Sequence, residues 1–293
     1  MKALNQIPLK INILGLALSL ALGWVHGFAP EASASTLISK GAPSSLNTAL
    51  EKAVKQHQIE TIKKLLLAGA DANYRTSGAS HDPLLWIALS QNQPRIVKLL
   101  LKAGATADVS DHRGTPILIG ALSLANAKTT RETLLFKSIL GLLNKGHANP
   151  NAQDKAYVGD SRGPLHMAVT LGSLDLVQLL LDFGANPNLG NRSHETPLHF
   201  AAERGYTDIV QLLLKQGAHT DALTKHTHMT ALLAAAENGH AEIVKLLIAQ
   251  GANVEVRDAF GNSAAQLLKS SAEKHHLTPL KFAQTEQALK VRK

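Results

Sequence analysis

Residues 196–218 read TPLHFAAERGYTDIVQLLLKQGA, and this stretch decides the fold. Thr196-Pro197 opens a short helix, because proline tolerates the first helical turn and the threonine oxygen can accept orphan amide hydrogens. Gly205 ends it. Thr207 starts a second helix with Asp208 in its first turn, where the helix dipole favours an acid. Ile209, Val210, Leu213 and Leu214 fall on one apolar stripe, and Gly217 supplies a left-handed cap. A helix pair this short cannot bury its apolar face alone, so copies must stack on one another.

The copies are there. Leu66-Leu67-Ala68-Gly69-Ala70 recurs as Leu101–Ala105, Leu181–Ala185, Leu214–Ala218 and Ile248–Ala252, with a weaker form at Leu143–His147. Their glycines are 35, 42, 38, 33 and 34 residues apart. The TPLH stretch is echoed by Gly163–Ala168 (GPLHMA) and Thr230–Ala236 (TALLAAA), and more distantly by Pro83–Ala88 and Thr115–Leu118. With this period of about 33 and its T-P-L-H-x-A signature, the chain resembles the ankyrin repeat, in a bacterial, exported form. The resemblance covers about 45–270 and implies an all-α solenoid of six to seven repeats with projecting β-turn fingers. Repeat 1 (Thr48–Asn73) and repeat 7 (from Asp258) are degraded, as suits capping units with one water-facing side.

Spacing also locates two insertions. Thr196 to Gly217 is 21 residues but Thr115 to Gly146 is 31, which puts ten extra residues around Ala125–Thr133, between the helices of repeat 3. Gly146 to Gly163 is 17 against 12 for Gly184 to Thr196, so the fourth finger is longer around Gln153–Asp160. Insertions in such arrays map to loops and often carry binding specificity.

Ahead of the array, Met1–Lys10 holds two lysines and no acid, and 15 uncharged residues follow at Ile11–Val25. Ala32-Ser33-Ala34 then forms a small-x-small site. That order reads as a secretory signal peptide over 1–34, cleaved before Ser35, with a linker at 35–44. The apolar run is shorter than the roughly 20 residues of a spanning helix, although an uncleaved membrane anchor would also export the body.

The 293 residues contain no cysteine, which excludes disulfides, Cys-bound zinc and a Cys nucleophile. With only Phe 6, Tyr 3 and Trp 2, the core must come from Leu, Ala, Ile and Val, as helices prefer. Net charge is +8, of which residues 269–293 hold +4 and the body only +3. So balanced a body is poor support for a nucleic-acid surface, and 271–293 reads as a solvated basic tail.

Fourteen histidines raise the question of metal or catalysis. His166 and His199 hold the T-P-L-H position, where the resemblance implies structural hydrogen bonds. His219, His226 and His228 near Asp221 could chelate a divalent ion, as could His275-His276, but free variation at finger positions weighs against it. His-Glu-x-x-His, the phosphate-binding loop and Gly-x-Ser-x-Gly are all missing. No catalytic residue, cofactor or metal is therefore expected.

The resemblance implies instead a monomeric protein-binding module. Its partner would be a folded protein, met through finger tips and the concave helix face. Candidate finger residues are Tyr74, His112, Arg113, Tyr157, Arg192, His226 and Phe260, and Trp86 replaces the TPLH histidine. Candidate concave residues are Thr170, Glu203, Arg204, Glu237 and Asn238. Tyr157 and Phe260 have the character of aromatic anchors. Alternatives are an effector secreted onward to a host protein, an enzyme or metal binder using the finger histidines, and an adaptor held to a membrane surface by the basic tail.

Overall fold

The computed structural model describes residues 44–124, 131–154, 161–274 and 277–290, with only the backbone of 131–137. The signal peptide, Tyr157 and His275-His276 lie outside the described residues. The described chain is all helix, with no strand among these residues.

Seven helix pairs follow one another. They are α1 (Ser44–Lys55) with α2 (Ile59–Leu67), α3 (Leu84–Ser90) with α4 (Pro94–Lys102), and α5 (Ile117–Ser123) with α6 (Arg131–Asn144). Next come α7 (Pro164–Thr170) with α8 (Leu174–Asp182), and α9 (Pro197–Arg204) with α10 (Thr207–Lys215). The last are α11 (Ala231–Glu237) with α12 (Ala241–Ala249), and α13 (Ala264–Glu273) with α14 (Pro279–Leu289). No described helix is long and apolar enough to cross a membrane.

Residue size explains the layering. The first helices of successive repeats meet through Ala168, Ala201, Ala202, Ala235 and Ala236, all fully buried, whose small side chains let α7, α9, α11 and α13 lie close. The second helices carry larger stripes: Ile96, Val97 and Leu100 on α4, Ile209, Val210 and Leu213 on α10, and Ile243, Val244 and Leu247 on α12. These stripes fill the space between layers and make one continuous core.

Three of the turns after second helices are tied to the next repeat by an asparagine. Asn188 Nδ2 donates to the Gly217 carbonyl (2.9 Å), while its Oδ1 accepts from His219 N (2.7 Å). Asn151 makes the same pair of bonds to Gly184 and Asn186, and Asn73 to Gly104 and Thr106. The polar GANPN segment at Gly184–Asn188 thus spends its amides on inter-repeat turns.

A second series runs through the turns inside each pair. Gly172, Gly205 and Gly239 have φ of +67°, +76° and +70°, and each lies under a side chain of the following repeat: Tyr206, His240 and Leu277. A Cβ at Gly205 would stand 2.5 Å from the His240 ring, so this position needs glycine for both conformation and space.

That series corrects the expected carboxyl-terminal boundary. Residue 270 falls inside α13, and Leu277 takes the place held by His240 one repeat earlier and by Tyr206 two repeats earlier. α14 then packs on α12 and α13, burying Thr285 and Ala288 completely. Most of the segment expected as a solvated tail is the second helix of repeat 7, with 275–276 and 291–293 outside the described residues. Repeat 3 also departs from expectation: α6 begins at Arg131 and runs 14 residues against nine in α10, so part of the insertion lengthens a helix.

Candidate interaction surface

Three of the fingers are built on one buried side chain that gathers their backbone. Asp111 Oδ1 accepts from Arg113 N and Thr115 N, both at 2.9 Å. Asn191 Oδ1 does the same for Ser193 N (3.0 Å) and Glu195 N (2.8 Å), and Asp258 Oδ1 for Phe260 N (2.9 Å) and Asn262 N (2.7 Å). At Asp258, burial works to raise the carboxyl's pKa, but donors from Asn262 and Phe260 outweigh it and hold it below the usual carboxylate range. In the sixth finger, the Thr224 hydroxyl accepts from Met229 N at 2.9 Å.

Each gathered finger turns its tip outward. Arg113, Arg192, His226 and Phe260 are exposed there, Phe260 to 79%. Neighbouring tips are joined, Lys225 N donating to Ser193 O (2.8 Å) and Ala259 N to Thr227 O (2.9 Å). His112 is exposed but engaged: its backbone N–H (2.8 Å) and Nδ1 (2.9 Å) both reach Asp82 Oδ1 in the preceding finger. Burial acts to raise the Asp82 pKa, yet these bonds and one from Ser80 keep the carboxyl below its ordinary value.

Tyr74, a candidate finger residue, is half-buried and packs against the core. Trp86 also packs inward, and Gly120 on the next first helix leaves room for its ring, which stands 2.5 Å from where a Cβ would be.

The TPLH histidines are clips between repeats. His199 Nδ1 accepts from Thr196 N (3.1 Å), leaving the Nε2 proton to be donated to the carbonyls of Ala222 and Met229, each at 3.0 Å. His166 is placed alike, with Gly163 N on Nδ1 (3.2 Å) and Nε2 on Glu195 O (2.9 Å). Burial pulls the His199 pKa below its ordinary value, partly opposed by the two carbonyl bonds. His240, whose Nε2 donates to Glu203 O (3.0 Å), is lowered mainly by burial too.

The concave face opens into a groove of about 640 Å³ across repeats 5 to 7. Glu203, Glu237 and Asn238 line it, together with Glu195, His240 and Lys281. Arg204 is exposed beside it, while Thr170, one repeat away, buries a hydroxyl with no hydrogen-bond partner among the described residues. Among those residues, no three His, Asp or Glu side chains converge as a metal site. The role of Leu277 and Lys281 in closing one end of the groove was not legible in sequence, since both lie in the segment expected to be tail.

Comparison with known proteins places these observations in a family. Residues 129–224 match a model described as ankyrin repeats in three copies, and 227–259 match a single ankyrin repeat. A putative palmitoyltransferase ZDHHC13 of Danio rerio is 31% identical over 166 residues, covering 54% of this chain and 23% of that protein. The phosphocholine transferase AnkX of Legionella pneumophila is 26% identical over 158 residues, 53% of this chain and 15% of its own length. The chain therefore spans less than a quarter of either relative. The solved ankyrin repeat domain of human ASB11 superposes with a TM-score of 0.57 at 25% identity, covering 78% of this chain and 98% of that one. The chain is an array of ankyrin repeats, matched as such within 129–259 and built in the same way from Ser44 to Leu289.

Proposed function

We propose that this chain is a non-catalytic protein-interaction module, exported to the periplasm, that holds a folded partner against its finger tips and concave groove. The observation that carries the reading is the join between fingers 5, 6 and 7. Two inter-finger bonds, at 2.8 and 2.9 Å, hold the tips as one edge beside a groove with room for a partner's side chains. Preorganised surfaces of this kind bind without a large ordering cost. Phe260 supplies an exposed ring of the type that dominates protein interfaces.

Export rests on the basic, apolar and small-residue order of residues 1–36. Expressed with its leader, the chain is expected in periplasmic extract with an intact mass starting at Ser35. A full-length mass would replace cleavage by anchoring. The module reading is tested by affinity capture of the mature chain from that extract, identified by mass spectrometry. Phe260→Ala and a Glu203→Ala/Glu237→Ala pair should each weaken the captured complex, Phe260→Ala by about thirtyfold. Unchanged binding in both folded variants would remove the finger and groove from the partner's footprint. A second reading, a protein secreted onward to bind a host protein, draws support from the likeness to the Legionella protein AnkX. Fractionation separates the two.

A further inference from the structure

We propose that the tips of fingers 5 and 6 form a histidine-rich cationic ridge that docks an acidic segment of the partner protein. The inference rests on the interaction-module reading and adds the partner's chemistry. His194 on finger 5 and Lys225, His226 and His228 on finger 6 are all exposed, and the bond between Lys225 N and Ser193 O sets the two tips side by side. Two of the histidines occupy unusual backbone: φ is +61° at His194 and +49° at His228. The position of His194 corresponds, three residues beyond the gathering side chain, to Gly114 and Gly261 in fingers 3 and 7. Histidine thus stands where glycine serves elsewhere, so its conformational cost comes with an imidazole displayed at the tip.

Nearby acids are already committed. On the same finger, Asp221 Oδ1 accepts from Asn253 N (2.9 Å), with His219 beside the finger's base. On finger 5, Glu195 Oε2 accepts from Asn191 Nδ2 (2.7 Å). On finger 7, Asp258 holds its own backbone, and Arg257 donates to Gly261 O (2.8 Å). The ridge therefore presents bases outward, with acids turned to structural work. A uniform polyanion such as nucleic acid or an anionic bilayer would also meet Glu203 and Glu237 in the adjoining groove. A protein can offer acids to the ridge and other groups to the groove and to Phe260, one finger along.

The test uses the full chain and fluorescence anisotropy. The probes are a labelled synthetic peptide of Glu and Leu, a Lys/Leu counterpart, a short DNA duplex, and vesicles of phosphatidylglycerol. The ridge variant is His194→Asn, Lys225→Gln, His226→Gln and His228→Asn, with asparagine at the two positive-φ sites because it tolerates them. Lys98→Gln/Lys102→Gln, exposed on α4 away from the ridge, is the control, Glu203→Gln/Glu237→Gln is a separate groove variant, and circular dichroism checks each fold. If the ridge variant fails to fold, Lys225→Gln/His226→Gln carries the test. The acidic peptide should bind, weaken at least tenfold in the ridge variant and hold in the control. Preference for the Lys/Leu peptide, lost in the groove variant, would overturn the ridge while leaving the module reading intact. DNA or vesicles bound as tightly as the acidic peptide, or no probe bound at all, would also overturn it.

Discussion

Replacing His199 by alanine should remove a clip between repeats 5 and 6. The ring accepts from Thr196 N and donates to the carbonyls of Ala222 and Met229, in a position only 6% exposed. Alanine would leave Thr196 N and the Ala222 carbonyl unpaired in a buried place, at about 1–3 kcal/mol for each that water cannot reach, while the Met229 carbonyl keeps its bond from Thr224 N. It would also open a cavity beside α9 and α11. Together these give a loss of about 3–5 kcal/mol, comparable to truncating a buried aromatic ring. Urea melts followed by circular dichroism measure it, with amide exchange showing the loss centred on repeats 5 and 6. The pH dependence follows with a definite sign. Burial lowers the His199 pKa in the folded chain, so the unfolded chain binds the proton more readily. The stability is whole above the unfolded value of about 6.5 and drains away as pH falls from there toward the folded value, by at most about 1.4 kcal/mol per pH unit. His199→Ala should flatten this part of the curve. A loss under about 1 kcal/mol at pH 7.5, with an unchanged acid slope, would refute the clip.

Three further outcomes follow from packing. Leu213→Ala, fully buried on α10, should cost about 2–5 kcal/mol, whereas Leu67→Ala, 89% exposed at the end of α2, should stay within about 0.5 kcal/mol in the same melts. Gly205→Ala should cost about 1–3 kcal/mol, because its φ of +76° and the His240 ring both exclude a Cβ; a neutral result would mean that the ring moves aside freely. Ala288→Glu, fully buried on α14, should destabilise by several kcal/mol, about 3 or more, while exposed Lys290→Glu should cost under about 1 kcal/mol. Equal, small effects would mean that α14 does not pack on the array.

The array was legible because its punctuation is chemical. Gly217 and its equivalents other than Gly146 adopt φ > 0, and Pro197 and Thr196 start helices, so residue type alone reports backbone geometry at these points. The second helix of repeat 7 escaped although it opens on the same Thr278-Pro279 signal, because no LL-x-x-GA ending follows it. Its buried positions are Thr285 and Ala288, and exposed Leu280 blurs the apolar period. Leu277 takes over from Tyr206 and His240 by position, although the three side chains share no chemistry. The partial burial of Tyr74 was hidden as well, since a ring in a finger gives no sign in sequence of how far the core reaches toward it. The His194 and His228 conformations were hidden too, since a left-handed backbone at a non-glycine residue leaves little trace in the residue's identity.

Charge gives the last step. A body carrying only +3 suggests an electrostatically bland surface, but the average conceals a sorting by depth. Asp82, Asp111 and Asp258 are buried at finger bases, where they collect N–H groups that would otherwise need water. Arg113, Arg192, His194, Lys225, His226 and His228 stand exposed at the tips, and Glu203 and Glu237 line the groove behind them. A nearly neutral sum therefore coexists with a basic edge beside an acidic hollow. Such an arrangement orients a partner by its dipole as well as by its net charge, and it penalises partners of uniform sign. The same finger acids that hold the backbone in shape leave the tips basic, so folding and recognition draw on one distribution of charge.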